Sequence, residues 1–305
     1  MDMQAIIVQL AVLFIILVLG YIVSKAKVLS PDAGGIMTKI VLSITLPCTI
    51  LSSAVGGNLK ISGAETAFYM LMSLLMLFIS VAVAMISSRF FGGDKADHGL
   101  YASMIAFGNV GFMGFPVAHA IFGAGSDFFV SMNMIAFQVL TFGLGPILIA
   151  GKNGKISLKI LRTPALIASF LTILLALINF RAPAIIVDVL KLLGNVTTPG
   201  SMLIIGFMLA QTPLSKVFSQ WRLYLMTVLK LIFIPVITWL ILKQLISNEL
   251  MLGVLVVLSG MPTAAIVGMF AIEYKGNEPL ASGGVFLTTL ISGVTVPLVV
   301  YLLLM

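Results

Sequence analysis

The stretch GNVGFMGFP, residues 108–116, decides the fold. Three glycines, an asparagine and a proline interrupt a segment whose flanks are apolar enough to cross a membrane as one helix. A second interruption, SGMPTAA at 259–265, lies in the other half of the chain. Backbone that leaves a helix inside lipid exposes unpaired N–H and C=O groups, and is tolerated only where protein or a water-filled cavity covers it. Two broken helices in matching halves of a chain mark the binding site of a carrier.

Composition agrees with a membrane setting. The chain is 60% hydrophobic and 9% charged, with mean hydropathy +1.20, against about 25% charged residues in soluble domains. The net charge of +7 comes from basic residues scattered through short connections, so it reads as membrane topology and not as a nucleic-acid surface. Cys48 is the single cysteine, which excludes a disulfide framework and a cysteine metal site. The first apolar run, 5–23, has Asp2 before it and Lys25 and Lys27 after it, the reverse of a cleaved signal, and reads as a retained helix.

A span needs about 20 apolar residues. That rule yields ten segments, at 4–24, 34–55, 66–88, 98–122, 128–150, 163–180, 184–210, 221–243, 249–274 and 279–304. With the N-terminus outside, the inner connections hold Lys25, Lys27, Arg89, Lys95, Lys152, Lys155, Lys159, Arg162, Lys216, Arg222 and Lys275. The outer ones hold Lys60, Arg181 and Lys243. The bias orients both termini away from the cytoplasm of a cell membrane, with the most basic connection, 150–162, inside.

The two halves resemble each other. A shift of 152 places Pro31 on Pro183, Lys39 on Lys191, Thr45 on Thr197, Pro47 on Pro199 and Leu51 on Leu203. A shift of 151 places Pro146 on Pro297, and Pro116 and Pro262 are 146 apart. Residues 1–155 and 156–305 therefore read as two five-span repeats. Five is odd, so the second copy enters the membrane inverted, the arrangement that supports alternating access around a midplane site.

Within span 4 the second half-helix is expected to start near Pro116, and in span 9 near Pro262, because proline suits the first helical position. The two N-terminal ends then converge with partial positive charge and free N–H donors, a site suited to a carboxylate. Gly108, Gly111 and Gly114 permit close backbone approach, and Asn109, Ser259 and Thr263 offer side-chain hydrogen bonds at the same level. The competing reading is that these residues only kink packed helices.

GNVGFMGFPV in span 4, SGMPTAAIVGMFAIEY in span 9 and the proline of ITLPCTIL in span 2 resemble the auxin efflux carrier family, over the whole chain. The plant auxin exporters and bacterial malonate-type carriers belong to that family. The resemblance implies an all-α polytopic protein of ten helices in two inverted repeats. It implies a scaffold of spans 1, 2, 6 and 7, a mobile transport domain of spans 3–5 and 8–10, organic-anion substrates and a homodimer formed through the scaffold. Asn109, Pro116 and Pro262 match its crossover motifs. The long cytoplasmic loop of many plant members is reduced here to 150–162, so their regulation does not carry over.

Several ionisable or polar residues lie inside spans. Lys230 sits nine residues from Trp221 and from Trp239; tryptophans favour the interfaces, which puts the ammonium at mid-membrane. It either attracts a carboxylate, stands where a coupling cation would sit, carries a coupled proton, or serves structure. His119, one turn past Pro116, is either a proton-coupling group or a packing residue. Asn133 and Gln138 either line the cavity or bond between helices. Lys39 and Lys191 read as snorkelling side chains, with Asp188 placed to pair with Lys191. His98 reads as part of a solvated connection, because no second ligand is spaced to complete a metal site.

The leading reading is a secondary carrier of a small organic anion, with the lipid bilayer as its surroundings and no cofactor or nucleic acid. No GxxxxGK[ST] loop exists for direct ATP drive, and no HExxH, GxSxG or paired carboxylate in a span suggests an enzyme. The alternative is a cation or proton exchanger of related architecture, which would centre acidic residues on the crossover; neither break contains one.

Overall fold

The computed structural model describes residues 3–30, 32–55, 62–91, 97–151, 162–211, 217–218 and 220–305. Pro31 of the repeat lies outside these residues, as do Lys60, Lys95, Lys152, Lys155, Lys159 and Lys216 of the charge count and nearly all of the basic stretch 150–162.

The described residues are helical, with one isolated β-bridge and no strand. Seven helices are long and apolar enough to cross a bilayer: α1 (Gln4–Lys25), α2 (Ala33–Val55), α3 (Gly63–Ser88), α6 (Gly125–Ala150), α8 (Ala184–Gln211), α9 (Trp221–Leu242) and α12 (Glu278–Leu304). Between them lie shorter elements. Span 4 is split into α4 (His98–Ala106) and α5 (Val110–Phe122), and span 9 into α10 (Glu249–Ser259) and α11 (Ala265–Glu273). Span 6 is α7 (Pro164–Leu177). His98 is thus the first residue of α4, and its ring Nε2 is buried.

Three of these helices widen to a π-turn at Val41–Thr45, Val110–Gly114 and Leu229–Phe233. Each turn ends two residues before a proline: Pro47, Pro116 or Pro235. A proline ring collides with the carbonyl four residues back and offers no N–H. The wider turn opens the backbone just ahead of each ring, as where Phe115 N–H reaches five residues back to the Val110 carbonyl. The prolines therefore shape the helices from within.

Helices α1 and α8 make the most extensive helix pair. They touch through Gly20 and Gly206, where any Cβ would strike the backbone of Leu203 or Leu17. The Thr197 hydroxyl lies 3.0 Å from the Thr45 hydroxyl and 2.9 Å from that of Thr49, which joins α8 to α2. Thr172 on α7 donates to the Ile50 carbonyl on α2 at 3.0 Å. Helices α3, α4, α5, α6 and α9–α12 pack around the two breaks. Large apolar side chains such as Ile15, Phe170, Ile185, Leu192 and Val294 face outward, as lipid allows and water does not.

Candidate functional site

The two breaks meet as antiparallel backbone. Gly108 and Thr263 form the isolated bridge. Asn109 N–H donates to the Pro262 carbonyl at 2.7 Å, and Ala264 N–H donates to the Phe107 carbonyl at 3.0 Å. These are one bond made twice: a shift of 155 residues carries Asn109 onto Ala264 and Phe107 onto Pro262, so the donor of each bond matches the donor of the other and the acceptor matches the acceptor. A local two-fold relation passes between Gly108 and Thr263. Gly108 allows this close approach: a Cβ would stand 3.2 Å from the Met261 carbonyl and 3.3 Å from Lys230 Nζ, so its neighbours would have to give way.

This pairing corrects the expected register. Backbone hydrogen bonding matches Pro262 with Phe107, so Pro116 and Pro262 are not counterparts. Nor does either open a half-helix as expected. α5 begins at Val110, capped by Asn109, whose Oδ1 accepts from Phe112 N–H at 3.2 Å, and Pro116 lies further along it. Pro262 lies in the extended link, and α11 begins three residues later at Ala265.

The expected free N–H donors are partly spent in closing the crossing. The amides of Asn109, Val110, Phe112, Thr263 and Ala264 are all used; Thr263 N–H donates to Thr288 Oγ1 at 3.0 Å. Side chains turn inward too. Thr263 Oγ1 donates to the Met104 carbonyl at 2.9 Å, and Ser259 Oγ bonds within its own helix to Val256 O at 2.7 Å. Two polar groups remain underused. Asn109 is 6% exposed, and its Nδ2 makes no hydrogen bond among the described residues. Lys230, 1% exposed within the π-turn of α9, donates from Nζ to the Ser259 carbonyl at 3.2 Å. That carbonyl belongs to the last turn of α10, whose partial negative charge favours a cation. Two of the three ammonium hydrogens have no other partner among the described residues. Lys230 and Asn109 thus bring unspent donors to adjacent positions of the crossing.

The remaining sequence candidates fall elsewhere. Gly111 packs near Met134 on α6, and Pro116 is buried in α5. Gln138 accepts from Thr163 Oγ1 at 3.1 Å, a bond between α6 and the start of α7. Asn133 is fully buried on α6 with neither amide atom bonded. His119 is away from the crossing: its Nδ1 lies 3.0 and 3.1 Å from the two carboxylate oxygens of Asp127. Asp127 was missed because the expected fifth span began at 128, and α6 begins at Gly125. The expected Asp188–Lys191 pair does not form; Lys191 instead faces a cavity. No cluster of metal-ligating side chains occurs among the described residues.

Two cavities flank the crossing. One of about 710 Å³ is walled by α2, α5, α6 and α8, with His119, Asp127, Lys191 and Pro199 among its lining. The other, of about 320 Å³, is walled by α8, α11 and α12, with Gln211, Gly268 and Glu278 among its lining. Along α8 they span Lys191 to Gln211, about 30 Å of helix, which is the hydrocarbon thickness of a bilayer.

A family described as membrane transport proteins matches residues 5–157 and 150–300. The chain belongs to that family, the auxin efflux carriers. An uncharacterised transporter of Methanocaldococcus jannaschii is 24% identical over 93% of this chain and 94% of its own. The uncharacterised transporter YfdV of Escherichia coli K12 is 24% identical over 95% of both chains. A protein of Rhizobium meliloti described as a candidate malonate transporter is 24% identical over 65% of both chains. This family member is accordingly a multi-pass membrane transporter and not an enzyme.

Proposed function

We propose that this transporter is a secondary carrier of a small organic anion, a carboxylate, and works by alternating access. The observation that carries the reading is the pair of unspent donors at the buried crossing. Lys230 holds two hydrogens and Asn109 its amide group beside converging helix N-termini, and a carboxylate is the ligand whose lone pairs such donors match. A buried ammonium left without its counter-charge is expensive, so substrate binding there relieves a cost already built into the fold.

The rest of the mechanism follows from the same plan. Spans 1–5 and 6–10 are inverted repeats, and the doubled backbone bond at the crossing supports that reading. Helices α1, α2, α7 and α8 serve as the scaffold and as the contact for a homodimer, and α3–α6 with α9–α12 as the moving unit. The two cavities are the approaches from either face, with the crossing as the barrier between them. Both termini lie on the outer side of the cell membrane. One elementary charge moving through 100 mV is worth about 2.3 kcal/mol, or roughly 50-fold accumulation. The Lys230 ammonium already places one positive charge at the crossing, which argues against sodium coupling. The name of the Rhizobium meliloti relative makes malonate the first substrate to try.

The test is charge movement in proteoliposomes on a solid-supported membrane, against mono- and dicarboxylates including malonate, with and without sodium. A carboxylate-dependent current that ignores sodium is expected. Absence of current together with absence of radiolabelled exchange for the whole panel would overturn the reading.

A further inference from the structure

We propose that the cavity walled by α2, α5, α6 and α8 is a carboxylate-binding vestibule in which His119 takes up a proton together with the anion. This rests on the carboxylate reading above and adds to it the coupled ion and the mouth at which it is loaded.

Three features converge on this cavity. First, the His119–Asp127 contact is the single ion pair among the described residues, and it bridges the end of the broken helix α5 to the first turn of α6. Asp127 is nearly buried, while the His119 side chain is 53% exposed and also faces a smaller cavity beside Gln9 on α1. With Nδ1–H donated to the carboxylate, Nε2 is the ring atom left to gain or lose a proton at the cavity. Second, Lys191 faces the same space and makes no ion pair with any described residue, not even with Asp188 one turn away. Third, Asn195 and Thr198 stand beside it and supply neutral donors.

The charges then set the behaviour. With a neutral imidazole, Asp127 and Lys191 cancel and the vestibule offers an anion no net attraction. With an imidazolium, one positive charge is left over. Anion binding and protonation of Nε2 therefore promote each other, since each places the partner that the other needs. The other charged groups on the packed elements are Lys25 on α1, Lys39 on α2, Glu65 on α3, Asp188 on α8, Glu249 at the start of α10 and Glu273 on α11, and none of them lines the cavity. Among the described residues, the opposite cavity is lined by Glu278 and by no lysine, arginine or histidine. Anion loading with a proton is thus a property of one mouth.

The test is calorimetric titration of the purified full-length carrier with malonate, between about pH 6 and 8, in buffers of different ionisation enthalpy. Wild type is expected to take up close to one proton more per malonate than His119→Gln does; the difference between the two cancels the titration of malonate itself. Asp127→Asn, the second variant should the first fail to fold, is expected to change the number and pH dependence of protons taken up. Lys191→Met is expected to weaken binding about tenfold at every pH while leaving proton uptake in place. Equal proton uptake in wild type and in the folded His119 or Asp127 variant would overturn the vestibule and leave the crossing site standing. Absence of carboxylate binding by wild type would remove both.

Discussion

The two breaks share a backbone and differ in their side chains. On the first, residue 109 is an asparagine that caps α5 and keeps an unspent amide; on the second, the residue in the same backbone position is Ala264, which caps nothing. The two mouths differ in the same way. Counting 151 residues on, as for Pro146 and Pro297, Asp127 corresponds to Glu278, yet only Asp127 has a histidine to hold. Symmetric backbone makes the crossing, and under the proposed function asymmetric side chains decide what is bound there and from which side.

The strongest way to break this comparison is at Lys230, whose ammonium is the one full charge at the crossing among the described residues. Lys230→Met is expected to reduce carboxylate current at least 100-fold with little loss of thermal stability. An uncharged side chain of similar length removes a buried charge that makes a single hydrogen bond among the described residues, and such replacements are often neutral or stabilising. Unchanged current in a folded Lys230→Met protein would take the ammonium out of the mechanism. Next in size is the asymmetry of the breaks themselves. Asn109→Ala is expected to cost about 1 kcal/mol of stability through the lost cap, and about tenfold or more in current through the lost donor. Ala264→Asn should change both far less. If the two substitutions cost the same current per folded molecule, the breaks are functionally equivalent and the comparison fails.

A structural control sharpens the same contrast. Thr263 is central to the crossing, but its hydroxyl is committed to the Met104 carbonyl. Thr263→Val leaves that carbonyl without the bond and is expected to cost about 1–3 kcal/mol, read as a lower melting temperature. Current per folded molecule should survive. A selective loss of current at unchanged stability would move Thr263 from the frame into the substrate contacts.

Much of this was legible in the sequence, for identifiable reasons. Long apolar runs and their interruptions announce a membrane protein with two broken helices, because lipid leaves few other solutions. The motif of span 4 pointed to Asn109, and tryptophan spacing placed Lys230 deep in the bilayer before any neighbour was known. What stayed hidden was register and rotation. Pro116 and Pro262 look equivalent as letters, but hydrogen bonding matches Pro262 with Phe107, and one-dimensional spacing does not record which carbonyl an N–H meets. Asp127 sat just outside an expected span boundary, so its contact with His119 could not be anticipated. The direction of the serine and threonine hydroxyls was equally unreadable, since in an apolar helix they often turn back onto a carbonyl three or four residues earlier.

Ser259 shows what that rotation decides. By position it belongs with Asn109 and Thr263, at the edge of the second break. Its hydroxyl bonds to Val256 O at 2.7 Å within α10, and the atom that meets Lys230 is its main-chain carbonyl. Ser259→Ala keeps that carbonyl and removes only a bond that the helix does not need. The acceptor it releases already takes part in the helical ladder near Gly260 N–H, at 3.3 Å. The expected change is therefore within about 0.5 kcal/mol in stability, with current unchanged. Measured beside Asn109→Ala in the same liposomes, it separates a side chain that presents a donor to the crossing from one that merely stands next to it. A Ser259→Ala loss as large as that of Asn109→Ala would mean that the hydroxyl swings to the substrate during transport.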